Sequence, residues 1–213
     1  MILLLPFYDL TWLAPVVEAC RITPSVVIVN VWSGPGIRED AQWQKAIDKL
    51  RAIEGTEILG YVDAIQFPND GPIRVDKAVQ KNQVQLLGER LRWRKFYGIN
   101  AFFLDDVRVT PKIAPWQMLN PGTAPKFSMD SQTVPVVIFE AERFTRSHAV
   151  GNIAAKRQAV IAMGETDFHK PLELAASRGV KYFFCTNGPD NAHGYDTPPP
   201  YLSKLATAIQ AIP

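Results

Sequence analysis

The sequence predicts a compact α/β fold, a (β/α)8 barrel of the TIM type, and three observations carry the prediction. Eight short apolar runs recur along the 213 residues, helical stretches lie between most of them, and each run is continuously hydrophobic rather than alternating. Continuous hydrophobicity belongs to strands buried on both faces, as in a parallel sheet, and alternation of strand with helix belongs to α/β architecture. The chain is shorter than the roughly 250 residues usual for this class, so its connections must be brief.

The runs are residues 2–8, 26–32, 57–62, 101–105, 117–120, 134–140, 158–163 and 180–186. The first lacks a basic leader and breaks at Pro6, so it reads as a buried strand and not as a signal peptide; no run reaches the roughly 18 residues of a membrane helix, so no membrane insertion is expected. Runs such as VVIVNVW and VPVVIFE are rich in β-branched and aromatic residues. Residues 38–53 place Ala41, Ile47 and Leu50 among charged neighbours and stop at Gly55. A longer helix is predicted over 75–97, ending at Gly98, a third over 171–178, ending at Gly179, and a closing one over 202–212. One unit is irregular: 107–115 holds two prolines and no helical period, which predicts a shortened or missing helix after the fourth strand. A doubly wound open sheet is the alternative. No linker or repeat interrupts the chain, so residues 1–213 are expected to form a single barrel domain.

Composition excludes several classes. Hydrophobic residues make up 47% and charged residues 21%, which rules out disorder as the main state. Net charge is +2, too weak a field to make nucleic acid a partner. The basic residues Lys81, Arg90, Arg92, Arg94 and Lys95 read as a solvated helix face. Two cysteines, Cys20 and Cys185, cannot form a disulfide framework or a Cys-based zinc site, and His148, His169 and His193 lack metal-ligand spacing, so no metal is expected. No Gly-x-Ser-x-Gly elbow supports a serine hydrolase. Ser33-Gly34-Pro35-Gly36 lacks the spacing and lysine of a phosphate loop and reads as a structural turn.

In a parallel barrel, functional groups collect at the carboxyl ends of the strands. The residues closing the runs include Tyr8, Asn30, Tyr61, Asp63, Asp105, Asp106, Asn120, Glu140 and Asn187. Hydroxyls, amides and carboxylates around one mouth suit a sugar, with Tyr8, Trp32, Tyr61 and Phe67 available to stack on it. Paired carboxylates are the central feature. Glycoside hydrolysis needs two carboxyl groups flanking the scissile bond, one protonated and one ionised. Asp105, Asp106 and Glu140 are the candidates for catalysis. The structural alternative is that these acids cap helices or pair with Arg108 and Arg143. Adjacent Asp105 and Asp106 should point to opposite sides, so only one need face the mouth.

Several blocks also carry a resemblance. VIVN followed by SGPG, LGYV at 59–62, GI leading to FFLDD at 98–106, LNPGT at 119–123 and VVIFE at 136–140 resemble, in order, the blocks of the spherulin 4 (spherulation-specific family 4) proteins. The resemblance runs from Leu4-Leu5-Pro6 to the region of Thr186-Asn187 and the Pro-Pro-Tyr before the last helix. It implies a (β/α)8 barrel related to glycoside hydrolases that cleave galactosaminogalactan, an α-1,4-linked polymer of galactosamine and N-acetylgalactosamine. The family's Asp-Glu pair after the fourth strand and its Glu after the sixth match Asp105-Asp106 and Glu140. Two positions depart from the pattern: Asp106 stands where the family has Glu, and Asp63 where His is common. The expectation is an endo-acting glycoside hydrolase with a polysaccharide or oligosaccharide substrate and no cofactor. Asp105 would be nucleophile or charge stabiliser, Glu140 general acid/base, Asp106 a tuning partner, and Tyr8, Asn30, Tyr61, Asp63, Asn120 and Asn187 sugar ligands. A catalytically inactive carbohydrate-binding or surface protein of the same family is the alternative.

Overall fold

The computed structural model describes residues 1–66, 79–107, 117–121, 134–145, 153–189 and 194–213. Strands β1 (Ile2–Phe7), β2 (Ser25–Val29) and β3 (Thr56–Asp63) pair in parallel in chain order. A short antiparallel pair, β4 (Ile65–Gln66) and β5 (Val79–Gln80), stands outside the barrel. The barrel continues through β6 (Phe102–Asp105), β7 (Met118–Leu119), β8 (Val136–Glu142), β9 (Gln158–Met163) and β10 (Tyr182–Cys185), which returns to β1. Every barrel pair is parallel, and each of the eight apolar runs supplies one strand. The closed sheet explains the continuous hydrophobicity: Leu3, Leu4 and Leu5 are successive residues with opposite side-chain directions, yet all are fully buried.

The helices are α1 (Leu13–Ile22), α2 (Ala41–Arg51), α3 (Gln83–Tyr97), α4 (His169–Ser177) and α5 (Leu202–Gln210). Asp40 caps α2 by accepting from the backbone N–H groups of Gln42 and Trp43, at 2.8 and 3.2 Å. The sequence reading lacks α1. That helix packs on α5 and buries Val16, Val17, Ala19 and Cys20, so it has too little polar face to show a helical period. Its Pro15 sits in the first turn, where a missing N–H breaks no helical bond.

The predicted start of α3 is also corrected. The helix begins at Gln83, not at residue 75, because Asn82 and Gln85 form a reciprocal capping box, and Val79–Gln80 is extended. Gly98 ends it in the left-handed conformation at φ 63°, as expected. Lys81 therefore precedes the helix and pairs with Glu89 at 2.7 Å instead of lying on a solvated face. Arg90 lies over the Phe102 ring, 5.0 Å from its centre. The predicted irregularity at 107–115 lies, from residue 108 on, outside the described residues. No helix among the described residues is long and apolar enough to cross a membrane.

One close approach ties α3 to the barrel. Trp93 lies flat on Gly60 of β3, and its indole N–H donates to the Tyr61 carbonyl at 2.7 Å. A Cβ at Gly60 would come within 2.7 Å of the indole ring. Gly60→Ala is therefore expected to cost about 1–3 kcal/mol. At about 2–4 °C per kcal/mol, the loss is readable as a lower melting temperature.

Candidate active site

Three neighbouring strands deliver the site. β6 ends at Asp105, Asn120 follows β7, and Glu140 lies on β8. The Asn120 backbone is locked to the end of β6: its N–H donates to the Leu104 carbonyl at 2.8 Å and its carbonyl accepts from the Val107 N–H at 3.0 Å. Its side chain, 2% exposed, uses one nitrogen to reach both acids. Nδ2 donates to Asp105 Oδ1 at 2.7 Å and to Glu140 Oε2 at 2.5 Å. The two carboxylate oxygens therefore lie no more than about 5 Å apart. A bulge in β8 contributes. Val137 faces Ala159 while Phe139 faces Val160, so Ile138 is an extra residue that reverses the side-chain alternation before Glu140.

Tyrosines complete the shell. Tyr61 donates from its hydroxyl to Asp105 Oδ2 at 2.8 Å, and Tyr195 to Glu140 Oε1 at 2.6 Å. The Asp106 N–H donates to Asp105 Oδ1 at 3.0 Å. Tyr8 meets Tyr61 and Tyr195 edge-on, with ring centres 5.8 and 5.1 Å away, and Tyr61 stacks on Phe103.

Burial sets the electrostatics. It pushes the Asp105 carboxyl well above the usual range, and the charge of Glu140 adds to the rise; the hydrogen bonds from Tyr61 and from the Asp106 N–H oppose it. Burial likewise holds the Tyr8, Tyr61 and Tyr195 hydroxyls well above 10, helped by the neighbouring carboxylates. The three phenols stay protonated and can donate.

The structure thus brings Tyr8, Tyr61, Asp105, Asn120 and Glu140 together. Asp106 takes a left-handed φ of 51°, a conformation Asp tolerates, and turns the chain away after its N–H has bonded Asp105. Asp63 faces Asp105 in the strand register and accepts from the Ile65 N–H at 2.8 Å. Burial raises its carboxyl pKa, against the Ile65 hydrogen bond and the Lys81 charge. Asn30 uses its side-chain oxygen on the Gly34 N–H at 2.9 Å and so braces the turn at 33–36. Asn187 is exposed beyond the buried Thr186. Phe67, Arg108, His148 and His193 lie outside the described residues, while Arg143 and His169 are exposed. Among the described residues, no group of three His, Cys, Asp or Glu side chains could hold a metal ion.

Sequence reasoning missed Tyr195. It lies well past the end of β10, whereas only the residues closing each run were weighed. A signal existed in the Gly-rich stretch between Asn187 and Tyr195. A Cβ on Gly188 would run into the Gly194 carbonyl, next to Tyr195.

The fold and these side chains define a closed parallel (β/α)8 barrel with a half-buried carboxylate pair at the carboxyl ends of its strands. The profile of spherulation-specific family 4 matches residues 3–114, more than half of the chain, and the chain belongs to that family. The matched segment contains Asp105 and Asp106; Asn120, Glu140 and Tyr195 lie beyond it. Among solved structures, Aspergillus clavatus Sph3 in complex with GalNAc is similar in fold, with a TM-score of 0.73 and 16% identity over 98% of this chain and 97% of that one. No curated protein matches the sequence.

Proposed function

We propose that this chain is a glycoside hydrolase that cuts an α-1,4-linked galactosamine/N-acetylgalactosamine polymer within the chain, with Asp105 and Glu140 as its two carboxyl groups. The observation that carries the reading is the single Asn120 nitrogen shared by both acids. Two half-buried carboxyl groups this close cannot both ionise cheaply, so the acid form of one of them is favoured. The ionised role is assigned to Asp105, whose two oxygens accept from the Asn120 amide, the Asp106 N–H and the Tyr61 hydroxyl. Glu140 then carries the proton for the leaving oxygen. Positive charge developing on the sugar ring stabilises a carboxylate that burial otherwise penalises, so Asp105 gains most where catalysis needs it.

Carboxylate oxygens no more than about 5 Å apart fall on the side of retaining glycosidases, in which the second carboxylate forms a covalent intermediate; inverting enzymes need roughly 6.5–9.5 Å to admit water. The Tyr8, Tyr61 and Tyr195 rings offer apolar edges and hydroxyls to a pyranose. Family membership and a fold neighbour that binds GalNAc support an amino-sugar substrate.

The test is incubation of the chain with partly N-acetylated α-1,4-linked polygalactosamine. Expected are new reducing ends, a rapid fall in polymer length and products that first appear as the α-anomer. Saturable binding without any new reducing ends would replace this reading with that of a glycan-binding protein.

A further inference from the structure

A cavity lies beside the turn that follows β2. It has a volume of about 570 Å³, within the roughly 300–1,000 Å³ of small-molecule sites, and is lined by Trp32, Gly34, Gly36, Asp40, Glu89 and Arg92, among others. Three features mark it as built. Glu89 is 7% exposed; Lys81 holds its Oε1 at 2.7 Å, yet its buried Oε2 has no hydrogen-bond partner among the described residues. That oxygen faces Gly34, where an added Cβ would meet it at 3.3 Å, so the glycine keeps the approach open. Trp32 is 75% exposed, with its ring edge against Gly36. The turn itself is held in an unfavourable shape: Ser33 has a left-handed φ of 47°, and the Asn30 side chain fixes the Gly34 N–H. A buried carboxylate oxygen lacking a donor, next to an exposed indole, calls for a ligand with a donor on an apolar ring.

We propose that this cavity is a second saccharide site, which takes one pyranose unit with its ring face on Trp32 and a hydroxyl or ammonium donor on Glu89 Oε2. The choice of an amino-sugar chain as ligand rests on the function proposed above; the donor requirement does not. Glu39, Asp40 and Glu89 offset Arg38 and Arg92 around the cavity, so neutral and amine-bearing units are both electrostatically acceptable. A polymer held at this rim as well as at the carboxylate pair would be gripped at two points.

The experiment is an NMR titration of the Glu140→Gln chain with α-1,4-linked galactosamine pentasaccharide and, separately, with its N-acetylated form. The Trp32 indole N–H and the Gly34 amide are expected to shift saturably with at least one of the two sugars. Trp32→Ala should weaken binding at this site roughly tenfold, and Trp32→Phe should restore most of it. Because Trp32 is exposed, neither variant threatens the fold. A response to the amine alone identifies the donor as ammonium, and a response to both identifies it as hydroxyl. Shifts confined to Asn120 and Tyr195, with Trp32 and Gly34 silent, would overturn the second site and leave the hydrolase reading intact. Shifts at Trp32 with no reducing ends released by the wild-type chain would keep the second site and remove the hydrolase reading.

Discussion

Glu140→Gln is expected to lower reducing-end release from α-1,4-linked polygalactosamine by about 10³-fold, with little change in KM or melting temperature. The substitution is nearly isosteric. Its amide oxygen can take the place of Oε2 and accept from Asn120, and its NH2 can donate to the Tyr195 hydroxyl, which reverses its role. Packing and hydrogen bonds are kept, so the fold has no reason to change. What disappears is the transferable proton: an amide neither protonates a leaving oxygen nor takes a proton from water. Glu140→Ala would be a poorer test, because it also strands Asn120 and Tyr195. Near-wild-type turnover by Glu140→Gln would take Glu140 out of the reaction.

The carboxylate pair was legible in the sequence because each acid closes or nearly closes an apolar run, and a parallel barrel gathers such ends at one mouth. Asn120 was legible as a polar residue at a strand end, but its bridging role was not, since that depends on backbone bonds to Leu104 and Val107 across two strands. The bulge at Ile138 leaves no trace in composition, yet it decides which way Glu140 points. Asn30 is a polar strand end whose side-chain oxygen braces its own turn, a role that composition does not reveal. Tyr195 was hidden by distance from its strand. In the fold, runs buried on both faces were easy to find because nothing interrupts their hydrophobicity. α1 was hidden for a related reason: Glu18 and Arg21 are the only charged residues of its exposed face, so it reads as one more apolar stretch. α3 carries Val84, Leu87 and Leu91 exposed on one side and Trp93 and Tyr97 buried on the other, so its apolar residues gave no sharp start.

Asp105→Asn is expected to abolish turnover to a similar degree, about 10³-fold, while raising the melting temperature at neutral pH by at least about 2 °C. The hydrogen bonds allow it. The amide oxygen can sit at the Oδ1 position and accept from Asn120 and the Asp106 N–H, leaving NH2 to donate to the Tyr61 oxygen. The gain comes from charge. The Asp105 pKa is raised in the fold, first by burial and then by Glu140, so the folded chain binds this proton more tightly than the unfolded one, whose Asp titrates near ~3.9. Stability from this group is fully present below that value and is lost as pH rises toward the folded pKa. Asparagine has no proton to lose. The difference in melting temperature between variant and wild type should therefore be small near pH 3.5 and grow as pH rises above about 4. Repeating the series in the Glu140→Gln background separates the two causes: the gap should shrink, because the neighbouring charge is gone, but persist, because burial is the larger cause. A gap that stays flat as pH rises would mean that burial and Glu140 do not raise the Asp105 pKa, and the coupling between the two acids on which the proposed mechanism turns would be lost with it.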